Sequence, residues 1–222
     1  MTVSAIVPAL NEAERIAATV TGLLALEPVT EVLVVDDGSD DDTAARAEAA
    51  GARVLRSSRN RGKGAAVAAG IARAGGTILL LIDADVSDAG RVARALLEPV
   101  RDGTADMTIA APPPGGPSGF GLVERFARVA IRRLTGQTFA RPLSGQRCLR
   151  RSAVEGARLP AGFGFEVALT IHALRTGCRV REIEVPVEHR RTGRDLRGFV
   201  HRGRQGLAVA REVAARGVRF PR

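Results

Sequence analysis

From residue 3 to residue 82 the chain alternates short apolar runs with segments of helical periodicity, and few folds accommodate that alternation. Residues 3–8, 31–35, 53–57 and 77–82 read as strands, and residues 12–26, 41–50 and 64–74 as the helices between them. Strand, helix and strand joined by loops of a few residues predict an α/β domain whose sheet is mostly parallel, flanked by helices and built with right-handed crossovers. Ligands of such sheets bind beyond the carboxyl ends of the strands. Polar residues stand at those ends: Asn11 and Glu12 after the first strand, Asp36 and Asp37 after the second, Asp83 and Asp85 after the fourth.

The pattern continues with a helix over 91–100, a strand over 106–111 and a breaker run, Pro112-Pro113-Pro114-Gly115-Gly116-Pro117, that neither helix nor strand can carry. This run divides the chain into halves, 1–111 and 112–222, of one domain. The second half reads as amphipathic helix over 121–134, helix over 164–176, strand over 179–187 and a final helix over 199–216.

Charge separates the halves. Residues 1–111 hold 11 Lys/Arg against 16 Asp/Glu, net −5, whereas residues 112–222 hold 22 against 8, net +14, within an overall +9. An acidic half suits a metal and a basic half suits an anion. The sequence pI of about 11.3 raises nucleic acid as a partner. Trp and Tyr are absent and only seven Phe are present, which leaves little to stack on bases, and no nucleic-acid-binding motif is seen, so specific nucleic-acid binding is not expected. No apolar run reaches the ~18 residues of a membrane span. A cytoplasmic protein is expected, with peripheral contact to the inner face of the membrane through its basic helices as an option, and a homodimer is left open. Cys148 and Cys178 lie far apart without a CxxC pattern and read as free thiols.

Asp83-Ala84-Asp85 is the sharpest local feature. Two carboxylates at i and i+2 after a buried strand repel each other unless a cation neutralises them, and hard oxygen ligands favour Mg²⁺ or Mn²⁺. A solvated acidic turn is the alternative. Asp36-Asp37-Gly38-Ser39 has an equally good reading as a turn in which Ser39 or Asp40 caps the next helix, and Asn11 as the cap of the helix starting at Glu12. Arg59-Asn60-Arg61-Gly62-Lys63-Gly64 meets a helix start, where backbone N–H groups and the Lys63 ammonium could face a phosphate; Lys63 is the single Lys among 33 basic residues.

Taken in order, Pro8-Ala9-Leu10-Asn11-Glu12, Asp36-Asp37-Gly38-Ser39, Asn60-Arg61-Gly62-Lys63-Gly64 and Asp83-Ala84-Asp85 resemble the signature of family 2 glycosyltransferases with the GT-A fold. The resemblance implies a nucleotide-sugar-binding first half in which Pro8, Ala9, Leu10, Glu12, Asp36, Asp37, Lys63, Asp83, Ala84 and Asp85 contact the donor and Asp83 and Asp85 hold the metal. Residues 142–147, 159–166 and Glu184-Val185-Pro186 with His189 are similar to polyprenyl-phosphate hexosyltransferases and glucosyl-3-phosphoglycerate synthases. That similarity implies a basic acceptor-binding second half with His189 as a further metal ligand. Gly145, Arg147, Arg190 and Arg191 are the expected acceptor contacts, and Glu166, Asp85 and Arg147 the expected catalytic residues. The implied activity moves a hexose, glucose by preference, from a nucleotide diphosphate, UDP by preference, to an anionic or lipid-phosphate acceptor. A sugar nucleotidylyltransferase and a non-catalytic nucleotide-binding protein are the alternatives, although the Gly-rich loop expected of the former after the first strand is missing.

Overall fold

The computed structural model describes residues 1–113, 121–161 and 164–187. Much of the breaker run, the helix expected over 199–216, and His189, Arg190 and Arg191 lie outside the described residues. Seven strands form one sheet: β1 (Val3–Ala9), β2 (Val29–Asp36), β3 (Arg53–Arg56), β4 (Ile78–Leu81), β5 (Met107–Ala111), β6 (Arg147–Arg150) and β7 (Val180–Glu184), in the order β3-β2-β1-β4-β6-β5-β7. The helices are α1 (Ile16–Leu24), α2 (Thr43–Ala49), α3 (Lys63–Arg73), α4 (Ala89–Arg101), α5 (Gly121–Thr135) and α6 (Phe165–Arg175).

Strand residues alternate between two cores, as the period of two requires. Val32, Val34, Ile78 and Leu80 meet Ile16 and Val20 of α1 and Leu96 of α4 on one face. Leu33, Val35, Leu79 and Leu81 meet Val67 of α3, Ile131 of α5 and Val167 of α6 on the other. Both faces being covered, strands such as Ile78–Leu81 are apolar throughout, as expected for the parallel part of an α/β sheet. Asp88 caps α4, its carboxylate accepting the Arg91 N–H at 3.1 Å.

The sheet departs from the sequence reading at β6, four residues of the second half that pair antiparallel with both β4 (Leu81 opposite Arg147) and β5. Both halves of the chain therefore build one sheet, with β6 wedged between two strands of the first half. Helix α1 also begins four residues later than expected, because Asn11 turns left-handed at φ 56° and Glu12 spends its N–H on the Thr43 hydroxyl at 2.8 Å.

Asp106 anchors the far end of this region. Its carboxylate accepts from Arg179 Nε at 3.0 Å and Nη2 at 2.9 Å, and Arg150 Nε lies 3.6 Å away. The Arg179 hydrogen bonds and charge, helped by Arg150, overcome partial desolvation and push its pKa down from 3.8 to about 2. A depressed acid favours the folded state above its unfolded pKa, and the contribution is lost as pH falls from about 4 towards 2. Asp106→Asn is therefore expected to cost about 1 kcal/mol at pH 7, allowing for solvent screening, and nothing near pH 2. Urea midpoints of both proteins measured across that range check it.

Candidate active site

The carboxyl ends of β1, β2 and β4 lie side by side in the sheet, and their loops are sewn together by side chains. Asn11 N–H donates to Ser39 Oγ at 2.9 Å, and Asn11 Oδ1 accepts the Asp40 N–H at 2.9 Å. Asp36 accepts from Ser39 through both its N–H (2.9 Å) and its hydroxyl (2.6 Å). Asp37 accepts the Arg61 N–H at 2.9 Å and the Gly62 N–H at 2.7 Å, tying the Lys63 loop to β2. Asn11, Ser39 and Asp40 thus fasten one loop to another rather than capping helices, and Asp37 is a buried strut. Pro8 and Ala9 pair with Val35 and Asp36 along β1, and the next residue, Leu10, is 38% exposed. Glu12 pairs with Arg15 at 2.5 Å.

At the end of β4 the half-exposed Asp83 carboxylate is gripped from two sides. Lys63 Nζ lies 2.6 Å from Oδ1, and the Gln146 amide donates to Oδ2 at 2.8 Å while its oxygen accepts the Asp83 N–H at 2.8 Å. Gly145 leaves the room for this: a Cβ there would stand 2.5 Å from Lys63 Nζ and 2.9 Å from Asp83 Oδ2. Ala84 is buried, its carbonyl accepting from Thr19 Oγ1 at 2.9 Å, and Asp85 is half-buried two residues from Asp83. Burial works against the Lys63 charge, but Asp83, Glu166 and Asp85 outweigh it and hold the ammonium above the ordinary lysine pKa.

A divalent cation fits this donor set. Asp83 and Asp85 supply hard anionic oxygens, and each Asp83 oxygen has two lone pairs against the one polar contact seen among the described residues. Among the described residues no three His, Cys, Asp or Glu side chains converge as a metal cage. Two carboxylates of this kind suit an ion that takes its remaining oxygens from a diphosphate and water.

Glu166, in the first turn of α6, is buried beside this cluster. Desolvation pushes its pKa above the usual carboxylate value against the opposing charges of Lys63 and Arg147. Arg147 does not match its expected role. It is 0% exposed and donates to Ser144 O (2.9 Å), Thr170 Oγ1 (2.8 Å) and Pro142 O (2.8 Å), so its guanidinium is spent inside the protein rather than offered to an acceptor. Burial pulls its pKa down to about 10 although Glu166 and Glu182 favour the charge. Arg147 positions the 142–147 loop. The α3 N-terminus is likewise less open than expected, since Ala65 gives its N–H to Ala161 O at 2.8 Å and a Cβ on Gly64 would lie 2.3 Å from Pro160 O. The phosphate contact expected at this end would then rest chiefly on the Lys63 ammonium.

The sequence model of the family described as Glycosyl transferase family 2 matches residues 4–155, which include all four motif loops and the Gly145-Gln146 pair. The chain is a family 2 glycosyltransferase. This glycosyltransferase is 31% identical over 211 residues to the undecaprenyl-phosphate mannosyltransferase of Micrococcus luteus, covering 87% of this chain and 86% of that one. It is 30% identical to the glucosyl-3-phosphoglycerate synthase of Mycobacterium tuberculosis over 77% of its own length, spanning 60% of that enzyme. A crystal structure of that synthase with Mn²⁺, UDP and phosphoglyceric acid superposes with a TM-score of 0.82 at 25% identity, covering 99% of this chain and 80% of the synthase chain. The α/β, GT-A expectation holds, with the antiparallel β6 as the detail the sequence did not show. The comparisons favour sugar transfer over the nucleotidylyltransferase alternative.

Gln146 is the site residue that sequence reasoning passed over. Its signal was its place in the 142–147 segment that carries a family resemblance, beside Gly145 and ahead of a four-residue strand whose ends are both arginine.

Proposed function

We propose that this glycosyltransferase moves a hexose, glucose before mannose, from UDP to a phosphate-bearing acceptor, with Mg²⁺ or Mn²⁺ held by Asp83 and Asp85. The observation that carries the reading is the Asp83 carboxylate fixed between Lys63 and Gln146 at the end of β4, with Asp85 two residues on. Support comes from the synthase captured with Mn²⁺, UDP and phosphoglyceric acid, and from another of its structures with Mg²⁺ and UDP.

When bound, the divalent ion neutralises charge on the departing diphosphate. Lys63 adds a fixed positive charge beside it, already held by Asp83 and so requiring little reorganisation as the glycosidic bond breaks. The Pro8–Glu12 and Asp36–Asp37 loops form the wall for base and ribose, with exposed Leu10 offering an apolar surface to the base. Glu166, with its raised proton affinity, takes the proton of a hydroxyl acceptor, whereas an acceptor attacking through a phosphate oxygen needs no strong base. By the same family resemblance, Gly145, Arg190 and Arg191 would contribute to acceptor binding, and His189 would join Asp83 and Asp85 in holding the metal.

A lipid-borne phosphate is the second acceptor class, favoured by the likeness to the undecaprenyl-phosphate enzyme. Among the described residues no helix is long and apolar enough to cross a membrane. The exposed Arg125, Arg128 and Arg132 of α5 would then meet anionic headgroups.

Incubation with UDP-glucose or GDP-mannose, Mn²⁺, and either 3-phosphoglycerate or a short polyprenyl phosphate, read by mass spectrometry, tests the proposal. Glucose on a phosphate-bearing product is expected. Transfer from neither donor to either acceptor overturns it.

A further inference from the structure

The amide of Gln146 holds Asp83 by two hydrogen bonds of opposite sense. Its oxygen accepts the Asp83 backbone N–H and its nitrogen donates to the Asp83 carboxylate, both at 2.8 Å. The backbone N–H can only donate and the carboxylate in this ion pair accepts, so the network fixes which end of the amide is oxygen. Gln146 is 1% exposed and lies one residue before β6, whose register sets Arg147 opposite Leu81. The antiparallel pairing thereby carries residue 146 alongside the residues that follow β4.

A buried residue of this length in a core would ordinarily be apolar, because an unsatisfied amide costs about 1–3 kcal/mol. Here both ends of the amide are satisfied by one residue, Asp83. A carboxylate on one carbon from the backbone rotates readily about its side-chain bonds, and Lys63 alone, on a flexible stem, would let it follow the ammonium. The amide restrains Oδ2 while Lys63 contacts Oδ1, and it adds no charge, so it orients Asp83 while leaving its negative charge available to a cation. A hydrogen-bonded partner of this kind commonly raises metal affinity by about 10- to 100-fold.

We infer that Gln146 is a positioning residue that orients the Asp83 carboxylate for the metal–diphosphate complex. The inference rests on the reading of Asp83 and Asp85 as metal ligands. Gln146→Met keeps the length and apolar packing but removes both hydrogen bonds, and Gln146→Asn keeps the amide one methylene short of Asp83. Mn²⁺ binding in the presence of UDP, without any acceptor, is measured by calorimetry for wild type and both variants, and the Mn²⁺ concentration for half-maximal transfer is measured alongside.

The expected result is a 10- to 100-fold weaker Mn²⁺–UDP complex in Gln146→Met and a loss in the same direction in Gln146→Asn, with kcat recovered at saturating Mn²⁺. Wild-type binding with both variants within twofold of it overturns the inference. So does a fall in kcat at unchanged Mn²⁺ dependence, which a purely structural role would give. Absence of Mn²⁺–UDP binding by the wild type would instead overturn the parent reading of the carboxylates. Should Gln146→Met unfold, the Gln146→Asn titration decides alone.

Discussion

Asp83→Ala and Asp85→Ala are each expected to lower kcat/KM for UDP-sugar transfer by about 10³-fold or more, because these carboxylates would hold the divalent ion whose charge stabilises the leaving group by several kcal/mol, and tenfold in rate is about 1.4 kcal/mol. Removing the metal with EDTA produces a loss of similar size in the wild type, and added Mn²⁺ restores it. Asp83→Ala has a second consequence. It strips Lys63 of its 2.6 Å partner and leaves the Gln146 amide nitrogen without its acceptor. Some loss of stability without ligand, about 1 kcal/mol for a half-exposed pair, accompanies the loss of activity. Asp83→Asn keeps the shape but, with a single acceptor oxygen, satisfies only one of Lys63 Nζ and the Gln146 amide nitrogen, so part of the stability loss persists. Calorimetric titration of Mn²⁺ with UDP, beside thermal melts of the metal-free proteins, reads both. Transfer within tenfold of wild type in Asp85→Ala would remove the metal site from the mechanism.

The largest effect on stability is expected at Arg147. Truncation to Ala deletes three hydrogen bonds, strands the carbonyls of Pro142 and Ser144, and opens a cavity where the side chain is wholly buried. About 3–5 kcal/mol follows from the unpaired groups and the void together, which for a chain of 222 residues is roughly a 10 °C fall in Tm. Arg147→Lys keeps the charge but has no planar fork to reach three acceptors, and recovers only part of the loss. Differential scanning calorimetry measures both variants. An unchanged Tm together with a raised acceptor KM would return Arg147 to the acceptor-binding role that its sequence context suggested.

Where the sequence could be read and where it could not has a physical basis in these same residues. Strands β1, β2 and β4 are buried on both faces, and their apolar runs and the acidic residues ending them were plain before any coordinates. Strand β6 was not, because Arg-Cys-Leu-Arg has no apolar period and its burial depends on β4 and β5 lying either side of it. The role of Arg147 failed for the same reason: an arginine in a basic half reads as a surface charge until its three acceptors are brought around it by the fold. Asn11, Ser39 and Asp40 carry residue types that serve equally as helix caps and as bridges between loops, and only tertiary placement distinguishes the uses. Asp83 and Lys63 were legible as chemistry, but the contact between them joins residues 20 apart and depends on α3 packing over β1 and β2 so that its first residue meets the loop that follows β4.

The wedge formed by β6 also has a bearing on how the chain is made. As synthesis proceeds, β4 and β5 leave the ribosome with their facing edges bare, and the strand that fills the gap follows more than thirty residues after β5 ends. Unpaired edges invite association with other chains, so this stretch of translation leaves the nascent protein open to mispairing until β6 arrives.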